Sequence, residues 1–360
     1  TRPYQEARVK EPLSIARRRA ACIRGLLLVV ALAGCGTGAT RPVARHPVCA
    51  VACSLGSGTT RVSVFVEPEA GAAPILAALA SASRAIDVET YQLSDTRVIH
   101  ALEDAANRGM AVRVILEFAP LGDAGIAAQV TAEELRTAGI QVESGNPAFR
   151  YTHAKIAIID GATAYILSGN LTHAGLGGSV SGTDRDYGVV DTDSTDVADL
   201  RALFAADWAR TSAHPTAPNL VISPDNARAK LLALIGRARS TLAIEDEELQ
   251  DGAIEAALSA AAQRGVVVRV ILPAPANGGT PSAQTAQLAR ARVWVRSSGH
   301  LYMHAKMVLV DDAEAFVGSV NFSATSLDAN REIGVLLAAP IALNLLSSTF
   351  TADWQTSIPA

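Results

Sequence analysis

Residues 82–117, ASRAIDVETYQLSDTRVIHALEDAANRGMAVRVILE, align without a gap to residues 238–273, ARSTLAIEDEELQDGAIEAALSAAAQRGVVVRVILP. A chain that repeats itself at this length builds one unit twice, and 360 residues leave each copy enough length for its own core. Apolar spacing inside the copies predicts a strand at 86–91, a helix at 98–107 and a buried strand at 112–116. The second copy repeats them at 242–246, 254–263 and 267–272. A strand at 62–66 and a helix at 75–83 precede the first set. A helix at 230–238 precedes the second, with Ser223 and Pro224 read as its cap and first turn. Arg108-Gly109 and Arg264-Gly265 end the second helix of each half. Both halves close on nearly the same word, FAADW at 204–208 and FTADW at 350–354. Alternating strands and helices predict an α/β fold of two similar αβα sandwich halves related by pseudo-twofold symmetry.

A second repetition carries the chemistry. YTHAKIAIIDGATAYILSGNLT (151–172) and LYMHAKMVLVDDAEAFVGSVNFS (301–323) each set a His two residues before a Lys and an Asp five residues after it. These are His153, Lys155 and Asp160, then His304, Lys306 and Asp311. The apolar runs predict buried strands entering hairpins at Asp-Gly and Asp-Asp, and on a strand residues two apart share a face. The Asp stands at the strand end, able to hold an imidazole or a neighbouring turn. After each hairpin comes a polar cluster, Ser168-Gly169-Asn170 or Gly318-Ser319-Val320-Asn321. Two lysines with hydroxyl and amide donors suit a phosphoryl group. Imidazole serves as nucleophile or general acid, so such a site can do phosphoryl chemistry without a metal.

The pattern resembles the phospholipase D superfamily, whose motif runs H-x-K-x4-D-x6-G-S-x-N and occurs twice per active site. The second copy matches at His304, Lys306, Asp311, Gly318, Ser319 and Asn321. The first matches at His153, Lys155, Asp160, Ser168 and Asn170 but has Leu167 in place of Gly. Asp186 in RDYGVV and Glu332 in REIGV resemble the family's acidic position after each motif, and the likeness spans residues 61–354. It implies a phospholipase D-like fold in which the two motif strands meet. By resemblance His153 attacks phosphorus to form a phosphohistidine and His304 is the general acid and base, with the reverse assignment left open. Lys155, Lys306, Asn170 and Asn321 would bind phosphate, Ser168 and Ser319 would stand beside it, and Asp160 and Asp311 would orient and hold charge. No cofactor and no metal are implied. The acidic run Glu245, Asp246, Glu247, Glu248 and Asp251 then reads as a solvated rim, with Glu89 and Glu245 bordering the pocket.

Aromatic residues are only 4%, too few for broad base-stacking platforms. Seven of the 31 basic and two of the 35 acidic residues lie in the first 34, leaving 24 against 33 in the remainder. That acidic balance disfavours nucleic acid as a general partner. Arginines 17, 18, 19 and 24 precede a short apolar run ending in Leu-Ala-Gly-Cys35, which predicts a lipoprotein-type signal over 1–35 with Cys35 lipidated. Residues 36–60 read as a flexible spacer, 61–210 as the first half, 211–219 as a linker and 220–360 as the second half. Cys49 and Cys53 are left either bonded or free. Loops 175–182 and 273–281 are candidate substrate gates. The expectation is an envelope-anchored or secreted monomer, a phosphodiesterase that hydrolyses or transphosphatidylates phospholipid at a membrane surface. A nuclease is one alternative. A cardiolipin synthase-like transferase is another, ranked lower because the paired membrane helices common in such synthases are missing.

Overall fold

The computed structural model describes residues 61–121, 125–178, 183–274 and 282–360. The predicted signal, Cys35, the spacer and Cys49 and Cys53 lie outside the described residues, as do parts of both gate loops. No helix among the described residues is long and apolar enough to cross a membrane.

The first half runs β1 (Val62–Glu67), α1 (Ala73–Ser81), β2 (Ala85–Thr90), α2 (Thr96–Asn107), β3 (Ala111–Leu116), α3 (Ile126–Thr137), β4 (Gln141–Ser144), β5 (Lys155–Ile159), β6 (Thr163–Leu167), β7 (Asp184–Asp191) and α4 (Ser194–Ala209). The second runs β8 (Leu220–Ser223), α5 (Ala227–Arg237), β9 (Thr241–Asp246), α6 (Gly252–Gln263), β10 (Val267–Leu272), α7 (Ser282–Arg290), β11 (Trp294–Ser297), β12 (Tyr302–Met303), β13 (Lys306–Val310), β14 (Glu314–Gly318), α8 (Ala324–Asp328), β15 (Glu332–Leu337), α9 (Pro340–Thr356) and β16 (Ile358–Pro359). The first sheet is ordered β1-β7-β6-β5-β2-β3-β4. The second reads β8-β15-β14-β13-β9-β10-β11 and then adds β16. Strand for strand the halves match, so the repeated sequence builds a repeated sheet with parallel and antiparallel neighbours.

Strand alternation explains the layers. On β5, Ile156 and Ile158 face a core shared with Met307 and Leu309 of β13, while Ala157 and Ile159 face the core under α1, α2 and α3. On β13, Val308 and Val310 turn instead to the core under α5 and α6. The shared core also takes in Phe204 of α4 and Phe350 of α9. Each sheet is thus covered by helices on its outer face and joined to its twin through the inner one. Ser223 does not cap a helix: it ends β8, pairing with Glu332, and the N-cap of α5 is Asn226.

The repeated closing words have a structural reason. Phe and Trp four apart on a helix lie on one face. Phe204 and Trp208 stack at 5.9 Å, with the Arg113 guanidinium of β3 over Phe204 at 4.9 Å. Phe350 and Trp354 stack at 5.8 Å, with Arg269 of β10 over Phe350 at 5.1 Å. The Asp between them crosses to the other half. Asp207 meets Arg331 at 2.8 Å, and Asp353 meets Arg185 at 2.6 Å. Arg185 and Arg331 are each the residue before a predicted site carboxylate. Both arginine side chains are 5% exposed, so they were taken out of water and depend on these partners. Replacing Arg331 by Leu leaves Asp207 buried without its cation. Urea unfolding should record a loss of about 3–5 kcal/mol, whereas Arg237→Leu, which breaks an exposed pair with Glu314, should leave the midpoint nearly unmoved.

Candidate active site

Two strand pairings cross between the halves and align the histidines. β12 of the second half pairs with β7 of the first, Tyr302 against Asp184 and Met303 against Arg185, and the His304 amide donates to the Arg185 carbonyl. Thr152 bridges Arg331, and the His153 amide donates to the Arg331 carbonyl at 2.8 Å. Each imidazole therefore sits against the carboxylate of the opposite half. His153 Nδ1 lies 2.8 Å from Glu332 Oε2, and His304 Nδ1 lies 3.0 Å from Asp186 Oδ1. A carboxylate on Nδ1 turns Nε2 outward and holds the ring for nucleophilic or acid–base work.

The carboxylates are themselves anchored. Ser168 Oγ donates to Asp186 at 2.6 Å and accepts from the Tyr187 amide. Ser326 Oγ and Asn330 Nδ2 donate to Glu332 at 2.6 and 3.0 Å. Ser319 accepts from the Ile333 amide at 3.0 Å. Ser168 and Ser319, expected beside phosphate, are thus occupied in fixing β7 and β15. Asp186 and Glu332, placed with phosphate support by the reading of the acidic position after each motif, instead hold imidazoles. The Leu167 departure falls where space exists: Leu167 packs in the core under α1 and α2, opposite Gly188. In the second half a side chain at Gly318 would come 2.3 Å from the Gly334 backbone.

Of the two roles open to Asp160 and Asp311, the structure shows the turn, and their placement with the imidazoles requires correction. Both take positive φ, 54° and 53°, in the turns that close β5 to β6 and β13 to β14. Asp160 accepts from the amides of Ser83, Arg84 and Ala85, and Asp311 from those of Arg239, Ser240 and Thr241. Each Asp lies five residues along the chain from its Lys, about 16 Å of extended strand. They pin a turn to the start of the neighbouring strand and do not reach the imidazoles.

The solvated rim also requires correction. Glu245 and Asp246 are buried, Tyr187 donates to Glu245, Asp246 accepts from Glu248 and Phe322 amides, and Asp251 caps α6. Glu89 is buried on the same inter-sheet side of β2. Glu247 enters the site itself. Its Oε2 lies 2.9 Å from Lys306 Nζ and 3.5 Å from His304 Nε2, and Tyr302 donates to Oε1 at 3.0 Å. Among adjacent acids in a loop, composition alone could not single it out. The repeat alignment could have, because Tyr91 occupies the matching position and its ring meets the His153 ring at 4.5 Å.

Electrostatics divides the two triplets. Lys155 and Lys306 are both fully buried, and each donates to the backbone carbonyl of its own His. Burial pulls His153 down to about 4 despite the Glu332 carboxylate, and pulls Lys155 down to about 7. Burial acts on His304 as well, but Asp186 and Glu247 outweigh it and raise the imidazole. Lys306 is raised in the same way by Glu247 and Asp186. Lys306 also acts on His153, and Glu247 and Asp186 act on Lys155, so the two triplets share one electrostatic site. Asn170 donates to Gln92 at 3.3 Å and Asn321 to Glu247 at 3.4 Å. Asp184, Asp186 and His304 could each turn one ligand atom to a cation within 4.8 Å of one another, although Asp186 already serves His304 and Ser168.

Comparison with known proteins assigns the class. The chain belongs to the family described as cardiolipin synthase, PLD-like domain, matched over residues 75–208 and 231–354. It is 25% identical over 332 residues to cardiolipin synthase A of Pseudomonas putida (strain W619), covering 82% of this chain and 68% of that protein. It is 26% identical over 300 residues to the major cardiolipin synthase ClsA of Bacillus subtilis (strain 168), covering 71% and 60%. The chain therefore spans about two thirds or less of these relatives' length. Two solved structures share the fold: a polyphosphate kinase from Porphyromonas gingivalis (TM-score 0.66, 18% identity, 82% of this chain and 47% of that one) and phosphatidylserine synthase of Haemophilus influenzae Rd KW20 (0.64, 12%, 83% and 87%). These relatives overturn the expectation of a phospholipid hydrolase. The transferase alternative fits them.

Catalysis that needs neutral His153 and protonated His304 has a defined pH profile. kcat/KM should rise through pH about 4 and fall once His304 and Lys155 lose their protons on the alkaline side. Asp186→Asn removes a carboxylate that raises His304, so its alkaline limb should move to lower pH. Asp311→Asn should leave both limbs where they are.

Proposed function

We propose that this protein is a phosphatidyl transferase of the cardiolipin synthase type, acting on phospholipid phosphodiesters at a membrane surface. The observation that carries the reading is the crossed pair of imidazole–carboxylate contacts, with one imidazole biased neutral and the other protonated. The family match and the names of the relatives supply the substrate class.

In the first step the His153 Nε2 lone pair attacks phosphorus, and the bond from phosphorus to the departing alcohol breaks. His304 gives its proton to that alcohol, and Glu332 stabilises the positive charge that develops on His153. In the second step an acceptor hydroxyl surrenders its proton to His304 and attacks the phosphohistidine, which restores neutral His153. Lys155 and Lys306 stabilise the charge on the phosphoryl oxygens in both transition states. The reaction exchanges one phosphoester for another, so it needs no external energy source and runs in either direction according to the alcohols present.

Vesicles of phosphatidylglycerol provide the test. Cardiolipin and glycerol should accumulate together, and His153→Ala and His304→Ala should each lower the rate by about 1,000-fold or more. Phosphatidate as the sole lipid product would refute the transferase reading.

A further inference from the structure

The second half carries a negative charge that the first half lacks. In the gapless repeat alignment Glu247 corresponds to Tyr91, an uncharged ring lying edge-on to His153. Glu247 is held from four sides: by Lys306 Nζ at 2.9 Å, Asn321 Nδ2 at 3.4 Å, Tyr302 OH at 3.0 Å and His304 Nε2 at 3.5 Å. Three of these groups, Lys306, Asn321 and His304, are the donors that the second motif offers to a phosphoryl group. With the side chain only 20% exposed, water screens this carboxylate weakly. His304 and Lys306 keep it ionised against the opposing effect of burial.

The charge count follows. With Lys155 protonated, Lys155, Lys306 and protonated His304 face Asp186, Glu332 and Glu247, so the ligand-free site is neutral; above about pH 7, where Lys155 loses its proton, the site is net negative. In either state an uncharged side chain at 247 would remove one negative charge. Lys306 still has a proton for one phosphate oxygen after serving Glu247 and the His304 carbonyl, and Lys155 serves only the His153 carbonyl among the described residues. A monoanion can be met by those donors. A second negative charge on the ligand finds no cation left and stands close to Glu247.

We propose that Glu247 is a specificity-determining residue that sorts phosphate ligands by charge, admitting the singly charged phosphodiester and turning away doubly charged phosphomonoesters and inorganic phosphate. The inference rests on the reading that the pocket of His153 and His304 binds a phosphodiester. The class turned away includes phosphatidate, the product that leakage of the intermediate to water would make.

Calorimetric titration of the full chain at about pH 8, where inorganic phosphate is largely dianionic, separates this role from catalysis. The ligands are inorganic phosphate and dimethyl phosphate, a minimal diester. Glu247→Gln should tighten inorganic phosphate by at least tenfold, about 1.4 kcal/mol, and dimethyl phosphate by clearly less. Glu247→Tyr, which copies the first half, should shift the selectivity the same way and serves if the Gln variant fails to fold. An unchanged affinity for inorganic phosphate, equal gains for both ligands, or no binding by any variant overturns the proposal. The transferase reading is tested separately by the vesicle products, because lipid transfer without a change in charge selectivity would leave that reading intact while removing this one.

Discussion

Each catalytic candidate is completed by the other half of the chain. His153 has its carboxylate on β15 and His304 has its own on β7, 179 and 118 residues away. Behind each carboxylate stands an arginine, again tied to an aspartate from the opposite half. These four contacts make docking of the halves and assembly of the site one event. A buried arginine without its aspartate is costly, and so is a buried carboxylate without its imidazole. A half folded alone would have neither, so the duplicated fold protects against an exposed half-site.

Symmetry brings the parts together, but chemistry needs them to differ. A displacement through phosphohistidine wants one neutral imidazole and one protonated imidazole, while a strictly symmetric scaffold would hand both the same proton affinity. The difference comes from what each half places at the end of its second strand. Tyr91 adds an aromatic edge and no charge, leaving burial to dominate His153 and Lys155. Glu247 adds a carboxylate within reach of His304 and Lys306 and holds both protonated. One position in the repeat thus gives the two imidazoles different proton affinities, and the backbone of the two halves need not diverge.

Much of this architecture was legible in residue order, because repetition and period are local properties. The gapless repeat, the paired strands and the triplets His153-Lys155 and His304-Lys306 are all visible without coordinates. Asp160 and Asp311 misled for a geometric reason: regular spacing from a lysine suggested chemical partnership, yet five residues of strand carry a side chain to the opposite end of a sheet. The buried acids misled for another. Glu245 and Asp246 sit in a charged run that composition assigns to water, yet both faces of β9 are covered, so alternation buries one on each side, where Tyr187 and backbone amides receive them. The words FAADW and FTADW were plain as words. Their aspartates' partners lie 124 and 168 residues away, and one sequence holds no signal for such a pairing.

The choice between hydrolysis and transfer lay outside the reach of motif reading, for a chemical reason. Both reactions use the same phosphohistidine and the same general base. They part only at the second step, when either water or an alcohol meets His304. Ranking the synthase reading below the hydrolase relied on membrane helices, features remote from phosphorus. The site offers a more relevant consideration. His304, Lys306 and Asn321 meet around a carboxylate that already competes with anions, which favours an incoming group that is neutral and able to donate a hydrogen bond. A lipid hydroxyl satisfies that condition as well as water does, and membrane anchoring of both lipids would raise its effective concentration near the intermediate. On the proposed transferase reading, transfer is then the outcome of supply as much as of architecture.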